Sequence, residues 1–215
     1  SSGQKQSKTL GNVVEPLDAV AKVGADPLRF YLMSEITYGK DGDFSWERFE
    51  SAYNSRLANE YGNLISRSLN MTKKYFDVIP PASDLPEVRA CVEGCVAAYV
   101  REMDGFHIDK AVAQAREIVA FLNGLIQERE PFRMAKSEDP AVQQELSDLM
   151  YAVDEAIRVA THLLWPVMPT KCGEVLQRLS NEADLDVPLA EACTWGRLTP
   201  GAPVEKGPAL FPRLG

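Results

Sequence analysis

The sequence predicts an all-α protein, an antiparallel helical bundle with a short helical segment before it and an irregular strap after it. Apolar residues recur every three or four positions over long stretches, which is the spacing of one face of an α-helix. Prolines fall at the ends of these stretches, where helices begin or stop. The connections between stretches are short, as they are between antiparallel neighbours in a bundle.

Composition limits the class of protein. The 215 residues are 45% hydrophobic and 25% charged, which is ordinary for a globular protein. No apolar run reaches the ~20 residues of a transmembrane helix, and the polar N-terminus is unlike a signal peptide, so we expect a cytoplasmic protein without a membrane partner. A net charge of −8 argues against indiscriminate nucleic-acid binding but leaves a specific binding face possible.

The cysteines include no C-x-x-C pair, so we expect buried thiols in a reducing compartment and no metal site. They are Cys91, Cys95, Cys172 and Cys193.

The longest predicted helix runs from Ser45 to Phe76. Ser45 can cap its first turn, and Phe44 and Phe49 are spaced to pack across that turn. At 1.5 Å per residue the helix would be roughly 48 Å long. Its outer face is polar and rich in amides, with Asn59, Asn63 and Arg67 spaced four apart in one row.

Such a row has two interpretations. A polar face on a long helix is usually only a solvated face. Asparagine, however, is a poor helix former, and amide and guanidinium groups can recognise the edges of unstacked bases. The row is therefore a candidate recognition strip.

The other helices are predicted from apolar periodicity together with proline, glycine and capping residues. They run from Pro16 to Val23, from Ala25 to Ile36, from near Pro86 to before Gly105, from near Asp109 to Glu130-Pro131, from Pro140 (with Asp139 as its cap) to a stop at Pro166 and Pro169, and from Thr170 to about Leu179. From Asn181 onward the composition shifts to proline, glycine and short polar runs. This predicts a strap lying along the bundle, with one strand possible.

The N-terminus combines two lysines, Lys5 and Lys8, with small hydroxyl residues and a glycine. Lysines supply point charge and hydroxyls supply donors, so this segment could be a loop that meets phosphate. A frayed, solvated terminus is the alternative, and no P-loop or G-x-G-x-x-G pattern is present.

The segment KQSKTLGNVVEPLDAVAKVGADPLRFYLM resembles the part of class I aminoacyl-tRNA synthetases that begins with the KMSKS signature. The run YGKDGDFSWERFESAYNSRLANEYGNLISRSLNM narrows the resemblance to the methionyl-tRNA synthetase family, and QEREPFRMAK, LLWPVMP and PALFPRL continue it. The resemblance covers the chain from about Gly3 onward.

The resemblance implies a C-terminal part of such an enzyme, because the family's HIGH signature, nucleotide-binding sheet and zinc-bearing insertion are missing here. It divides the chain into a KMSKS-like loop with a stem-contact segment (1–44), an anticodon-binding bundle (45–180) and a strap returning along the bundle (181–215). The full enzyme would activate methionine with ATP and Mg²⁺ and transfer it to tRNA(Met). The implied partners are that tRNA and the catalytic domain of the same enzyme, not DNA. Alone, this chain is expected to be inactive.

The family's site residues transfer to matching positions. Lys8 matches the second signature lysine, which stabilises the transferring phosphates of ATP, and Lys5 matches the first. Gln6 replaces the usual Met and Thr9 the usual final Ser, so packing of the loop is open to question. Residues matching the family's CAU-anticodon contacts are Asn59, Asn63, Arg67, Pro131 and Phe132.

Phe132 stands where the family usually has Trp, and a phenyl ring can still stack on a base. A residue that only caps the bundle core is the alternative for Phe132. Two other functions stay open for the whole chain: the equivalent region of another class I synthetase, or a non-catalytic helical bundle that binds protein partners.

Overall fold

A computed structural model describes residues 15–37, 39–40 and 44–215. Its helices are α1 (Pro16–Val23), α2 (Ala25–Glu35), α3 (Trp46–Ala52), a π-helical segment (Tyr53–Gly62), α4 (Asn63–Tyr75), α5 (Pro86–Asp104), α6 (Ile108–Arg129), α7 (Pro131–Met134), α8 (Pro140–Leu164), α9 (Pro169–Arg178) and α10 (Leu189–Ala192). Within the described ranges there is no strand beyond an isolated antiparallel bridge between Val78 and Pro203. The predicted all-α class is confirmed.

The long predicted helix is a continuous rod made of α3, the π-helical segment and α4. Ser45 caps it as predicted, its hydroxyl accepting a bond of 3.2 Å from the backbone N–H of Arg48. The rings of Phe44 and Phe49 stack at 6.0 Å across the first turn. The prediction of one uniform α-helix was wrong, because the middle third has the wider π turns.

The spacing of the buried residues explains the π turns. Six buried residues recur at strict intervals of four: Phe49, Tyr53, Leu57, Tyr61, Ile65 and Leu69. An α-helix has 3.6 residues per turn, so each step of four would rotate this series off the core by roughly 40°. Wider turns rotate the series back. The mixed rod therefore keeps all six side chains on one side over five turns or so.

The remaining helix boundaries agree closely with the predicted ones. Asp139 caps α8, accepting a bond of 2.9 Å from the backbone N–H of Ala141. Glu130 adopts a left-handed conformation (φ 49°) that ends α6 and turns the chain into Pro131. The rod, α5, α6 and α8 form the bundle, and α8 is buried on nearly all sides from Leu146 to Leu164.

The C-terminal strap is more ordered than predicted. It contains the short helix α10, and backbone bonds join Ile79 to Ala202 and Gly201. Glu155 and Arg158 of α8 form a buried ion pair with a nitrogen–oxygen distance of 2.7 Å. This pair holds the strap, because the carboxylate accepts hydrogen bonds from strap amides and the guanidinium donates to strap carbonyls. The strap thus has a polar anchor inside the core.

The N-terminal helices share a small apolar cluster with the start of the rod, formed by Ala19, Leu28, Tyr31, Phe49 and Ala52.

The division of the chain into segments at residues 44 and 180 stays a prediction. None of the described helices is long and apolar enough to cross a membrane. Cys172 and Cys193 are buried as expected, but the expectation was wrong for Cys91 and Cys95, which are only partly buried because the buried residues of α5 are Val88, Val92 and Tyr99.

Candidate nucleic-acid interface

The outer face of the rod carries the predicted row of polar side chains. Asn59, Asn63 and Arg67 are all exposed. In the part of the chain that the structure describes, none of the three makes a side-chain hydrogen bond or ion pair. The row therefore has donors and acceptors that are available to a ligand.

Neighbouring polar residues on the rod are engaged in contacts that hold it to other helices. Arg56 forms an ion pair of 2.8 Å with Glu35 of α2. Glu60 meets Arg116 of α6 at 3.5 Å, and its backbone carbonyl accepts from Asn123 at 3.3 Å. The row of Asn59, Asn63 and Arg67 is thus distinct from Arg56 and Glu60, which bind the rod to α2 and α6.

Buried polar contacts beneath the row fix the rod against α8. The Tyr61 hydroxyl lies 2.7 Å from that of Thr161. Ser68, next to Arg67, and Thr72 each donate a bond of 2.6 Å to the Asp154 carboxylate. Burial raises the pKa of Asp154 to about 6, and the two hydroxyl bonds oppose that rise only in part.

A groove of about 380 Å³ separates the row from the end of the strap. Asn59, Asn63 and Ser66 line one wall, and residues 209–213 line the other, with the exposed Arg213 at its end. Gly62 lets the strap pack closely against the rod at this groove, because a Cβ there would lie 2.9 Å from the Leu57 carbonyl and 3.2 Å from the Phe211 ring.

The strap is bonded firmly to the rod beside that groove. The Tyr53 hydroxyl donates to the Pro212 carbonyl at 2.8 Å. Asn54 and Leu214 exchange a pair of bonds at 2.9 and 3.0 Å. Arg213 was not among the candidate residues. The apolar Leu210-Phe211 anchor was the available signal, since an anchored segment also positions its charged neighbour.

The Pro131-Phe132 turn presents an open aromatic ring. Pro131 is buried, whereas 49% of Phe132 is exposed. The Arg133 guanidinium lies 5.9 Å from the Phe132 ring centre. The alternative of Phe132 as a residue capping the core is thus disfavoured, because a half-exposed ring leaves a face for stacking.

The row and the turn lie at similar heights along the bundle. The rod and α6 run parallel: Thr37, ahead of the rod, meets Asp109 at the start of α6, and Glu60 meets Asn123 further along. From that second contact, seven more residues lead to Arg67 on the rod and to Glu130 on α6. Each path covers about 10 Å at 1.5 Å per residue.

Lys5 and Lys8 lie outside the described residues, as do Gln6 and Thr9. No three His, Cys, Asp or Glu side chains in the described ranges are grouped to hold a metal ion.

Comparison with known proteins decides the family. Residues 84–215 match a family model described as the anticodon-binding domain of methionyl tRNA ligase, and residues 1–69 match one described as class I tRNA synthetases (M). The chain belongs to the methionyl-tRNA synthetase family. It corresponds to the C-terminal part, which confirms the resemblance found in the sequence.

Relatives in the family are similar along the whole chain. The methionine–tRNA ligase of Streptomyces coelicolor is 36% identical over 222 residues, covering 99% of this chain and 41% of that ligase. The ligase of Thermotoga maritima is 34% identical over 218 residues, covering 99% of this chain and 34% of that ligase. The chain thus spans less than half the length of the ligases that it matches.

Solved structures agree with this assignment. Methionyl-tRNA synthetase of Mycobacterium tuberculosis bound by methionyl-adenylate matches with a TM-score of 0.88 and 29% identity, over 97% of this chain and 42% of that one. The apo form matches with a TM-score of 0.85 and 28% identity, over 94% of this chain and 41% of that one.

Proposed function

We propose that this chain is the tRNA-recognising part of a methionine–tRNA ligase and that it binds the CAU anticodon of tRNA(Met). The observation that carries the proposal is the exposed row of Asn59, Asn63 and Arg67. These side chains make no hydrogen bond or ion pair within the described ranges, whereas other polar residues of the same rod are engaged. Amides and a guanidinium can donate to and accept from the edges of unpaired bases, which is how single-stranded RNA loops are recognised.

Phe132 supplies a stacking surface at a similar height along the bundle. Its half-exposed ring, introduced by the buried Pro131, can pack on one splayed base. Base–aromatic stacking contributes about 1–3 kcal/mol per base. The phenyl ring covers less area than the usual indole, so we expect a contribution toward the lower end.

The whole enzyme would activate methionine with ATP and then transfer it to tRNA in the cytoplasm. Lys5 and Lys8 would hold the ATP phosphates, and Mg²⁺ would neutralise part of the phosphate charge. The catalytic domain would supply the nucleotide-binding fold. Lysine fits this role because it places a compact positive charge where negative charge develops. The chain by itself would bind tRNA without charging it.

A set of alanine variants tests the proposal. Replacing Asn63, Arg67 and Phe132 together should weaken binding of a CAU anticodon stem-loop at least tenfold, measured by fluorescence anisotropy, with helical content unchanged by circular dichroism. The matched control replaces an exposed amide, arginine and aromatic elsewhere: Gln177→Ala, Arg101→Ala and Phe106→Leu. Equal weakening by both sets, or none by the first, would remove the row and ring as the recognition surface.

A further inference from the structure

The groove of about 380 Å³ beside the row has two walls of different chemistry. The rod wall carries the side-chain amides of Asn59 and Asn63, which have no partner in the described ranges, and residues 209–213 form the strap wall. The rod and the strap meet at the floor, where a Cβ added to Gly62 would lie 3.2 Å from the Phe211 ring. Since pockets of about 300–1,000 Å³ hold small molecules, the groove suits a single nucleobase and is too small for a folded partner.

The strap wall offers backbone groups to the groove. The side chains of Leu210 and Phe211 are buried, with 3% and 4% of their surface exposed, so they hold the strap in place. Among the described residues, no hydrogen bond uses the backbone N–H or C=O of residues 209–211. The carbonyls on either side, those of Pro208 and Pro212, each accept a bond of 2.8 Å. The strap therefore has unused donors and acceptors on a backbone that is fixed at both ends.

Arg213 places a cation at the end of this wall. The backbone on both sides of it is tied to the rod, because the Pro212 carbonyl accepts from Tyr53 and Leu214 exchanges bonds of 2.9 and 3.0 Å with Asn54. The Arg213 side chain itself is exposed and, in the part of the chain that the structure describes, makes no ion pair or hydrogen bond. A guanidinium with a fixed backbone and a free head group is suited to a phosphate.

We propose that this groove holds one unpaired base of the bound RNA loop and that Arg213 binds the phosphate of the same nucleotide. The two asparagines contact the base from the rod, and the backbone of residues 209–211 contacts it from the strap. Bases of single-stranded loops are recognised by hydrogen bonds along their exposed edges, and two walls can contact more than one edge. The inference rests on the proposed function, since the row forms one wall, and it makes the strap a determinant of base specificity.

The first arm of the test fills the groove. Ala209 is exposed and lines the groove, so Ala209→Leu should occupy it without disturbing the core. Fluorescence anisotropy measures binding of a CAU stem-loop and of three stem-loops with one anticodon base changed. In Ala209→Leu the discrimination should fall at least tenfold at one anticodon position and should persist at the other two. Thr199→Leu, an exposed strap position that does not line the groove, is the matched control and should bind as the parent does.

The second arm removes the cation. Arg213→Ala should weaken all four stem-loops alike, and the plot of log affinity against log salt should become shallower by about 0.7, the value for one phosphate contact on a single strand. Arg101→Ala, which removes an exposed arginine of α5, should change neither quantity.

The outcomes separate this inference from the proposed function. Discrimination that is unchanged at all three positions in Ala209→Leu, or a salt slope that is unchanged in Arg213→Ala, would overturn the role of the groove and leave recognition by the row intact. A parent chain that does not distinguish CAU from the changed loops would overturn the proposed function, and the role of the groove with it.

Discussion

Replacing Asp154 with Asn should make the fold more stable at neutral pH and should remove part of its pH dependence. Asp154 is fully buried beneath α4 and receives bonds of 2.6 Å from Ser68 and Thr72. No cation lies among its described partners. Asparagine has nearly the same shape, and the two hydroxyls can accept from its amide as well as donate to its oxygen.

The size of the effect follows from the pKa of the buried carboxyl. Burial raises this pKa from 3.8 to about 6, and 1.36 kcal/mol per unit gives about 3 kcal/mol. Between pH 4 and pH 6 the folded state binds a proton that the unfolded state does not. Stability from Asp154 is therefore fully present below pH 4 and is lost as the pH rises through about 6.

Urea unfolding from pH 4 to pH 8 measures this directly. Asp154→Asn should flatten the loss of stability between pH 4 and pH 6, and it should gain up to about 3 kcal/mol at pH 7. Asp148→Asn, a partly exposed position on the same helix, is the matched control and should behave as the parent does. If Asp154→Asn and the parent lose stability in parallel over that range, the buried carboxylate is not the cause.

Four further changes test other parts of the protein. Gly94→Ala should stabilise the protein by about 0.5–1 kcal/mol because a Cβ there meets nothing within 4 Å, whereas Gly62→Ala should destabilise it through the clash with Leu57 and Phe211; thermal unfolding that ranks them the other way would refute the packing at the groove. Arg158→Met should cost about 3–5 kcal/mol in urea, because Glu155 would stay buried without its cation, and a loss below ~1 kcal/mol would mean that strap amides alone hold the carboxylate. In a full-length enzyme, Lys8→Ala should slow methionine-dependent ATP–pyrophosphate exchange far more than it weakens tRNA binding, and unchanged exchange would exclude Lys8 from the phosphate site.

Much of the fold could be predicted because local rules coincide with the tertiary structure. Pro86, Asp139-Pro140 and Pro131 mark helix ends by their own backbone chemistry, so the boundaries of α5, α6 and α8 were accurate. The π turns were missed because buried residues spaced three or four positions apart also fit an ordinary α-helix. Only the unbroken series from Phe49 to Leu69 distinguishes a mixed rod from a uniform one.

The buried charges could not be predicted from local pattern. Glu155 and Arg158, three residues apart, resemble an ordinary surface ion pair, and only the strap makes them interior. Asp154 likewise gains its surroundings from α4, more than 80 positions earlier in the chain. At the candidate site, the spacing of Asn59, Asn63 and Arg67 was enough to identify the row. Only the structure shows that Arg56 and Glu60 are paired while these three side chains have no partner among the described residues.

The affinity of the chain for a CAU anticodon stem-loop, relative to one with a single changed anticodon base, tests the central claim most directly. Measured at two salt concentrations, both affinities should fall as salt rises, because phosphate contacts are screened. Their ratio should stay at tenfold or more, or about 1.4 kcal/mol. A ratio near one at both concentrations would contradict recognition by the exposed row and ring.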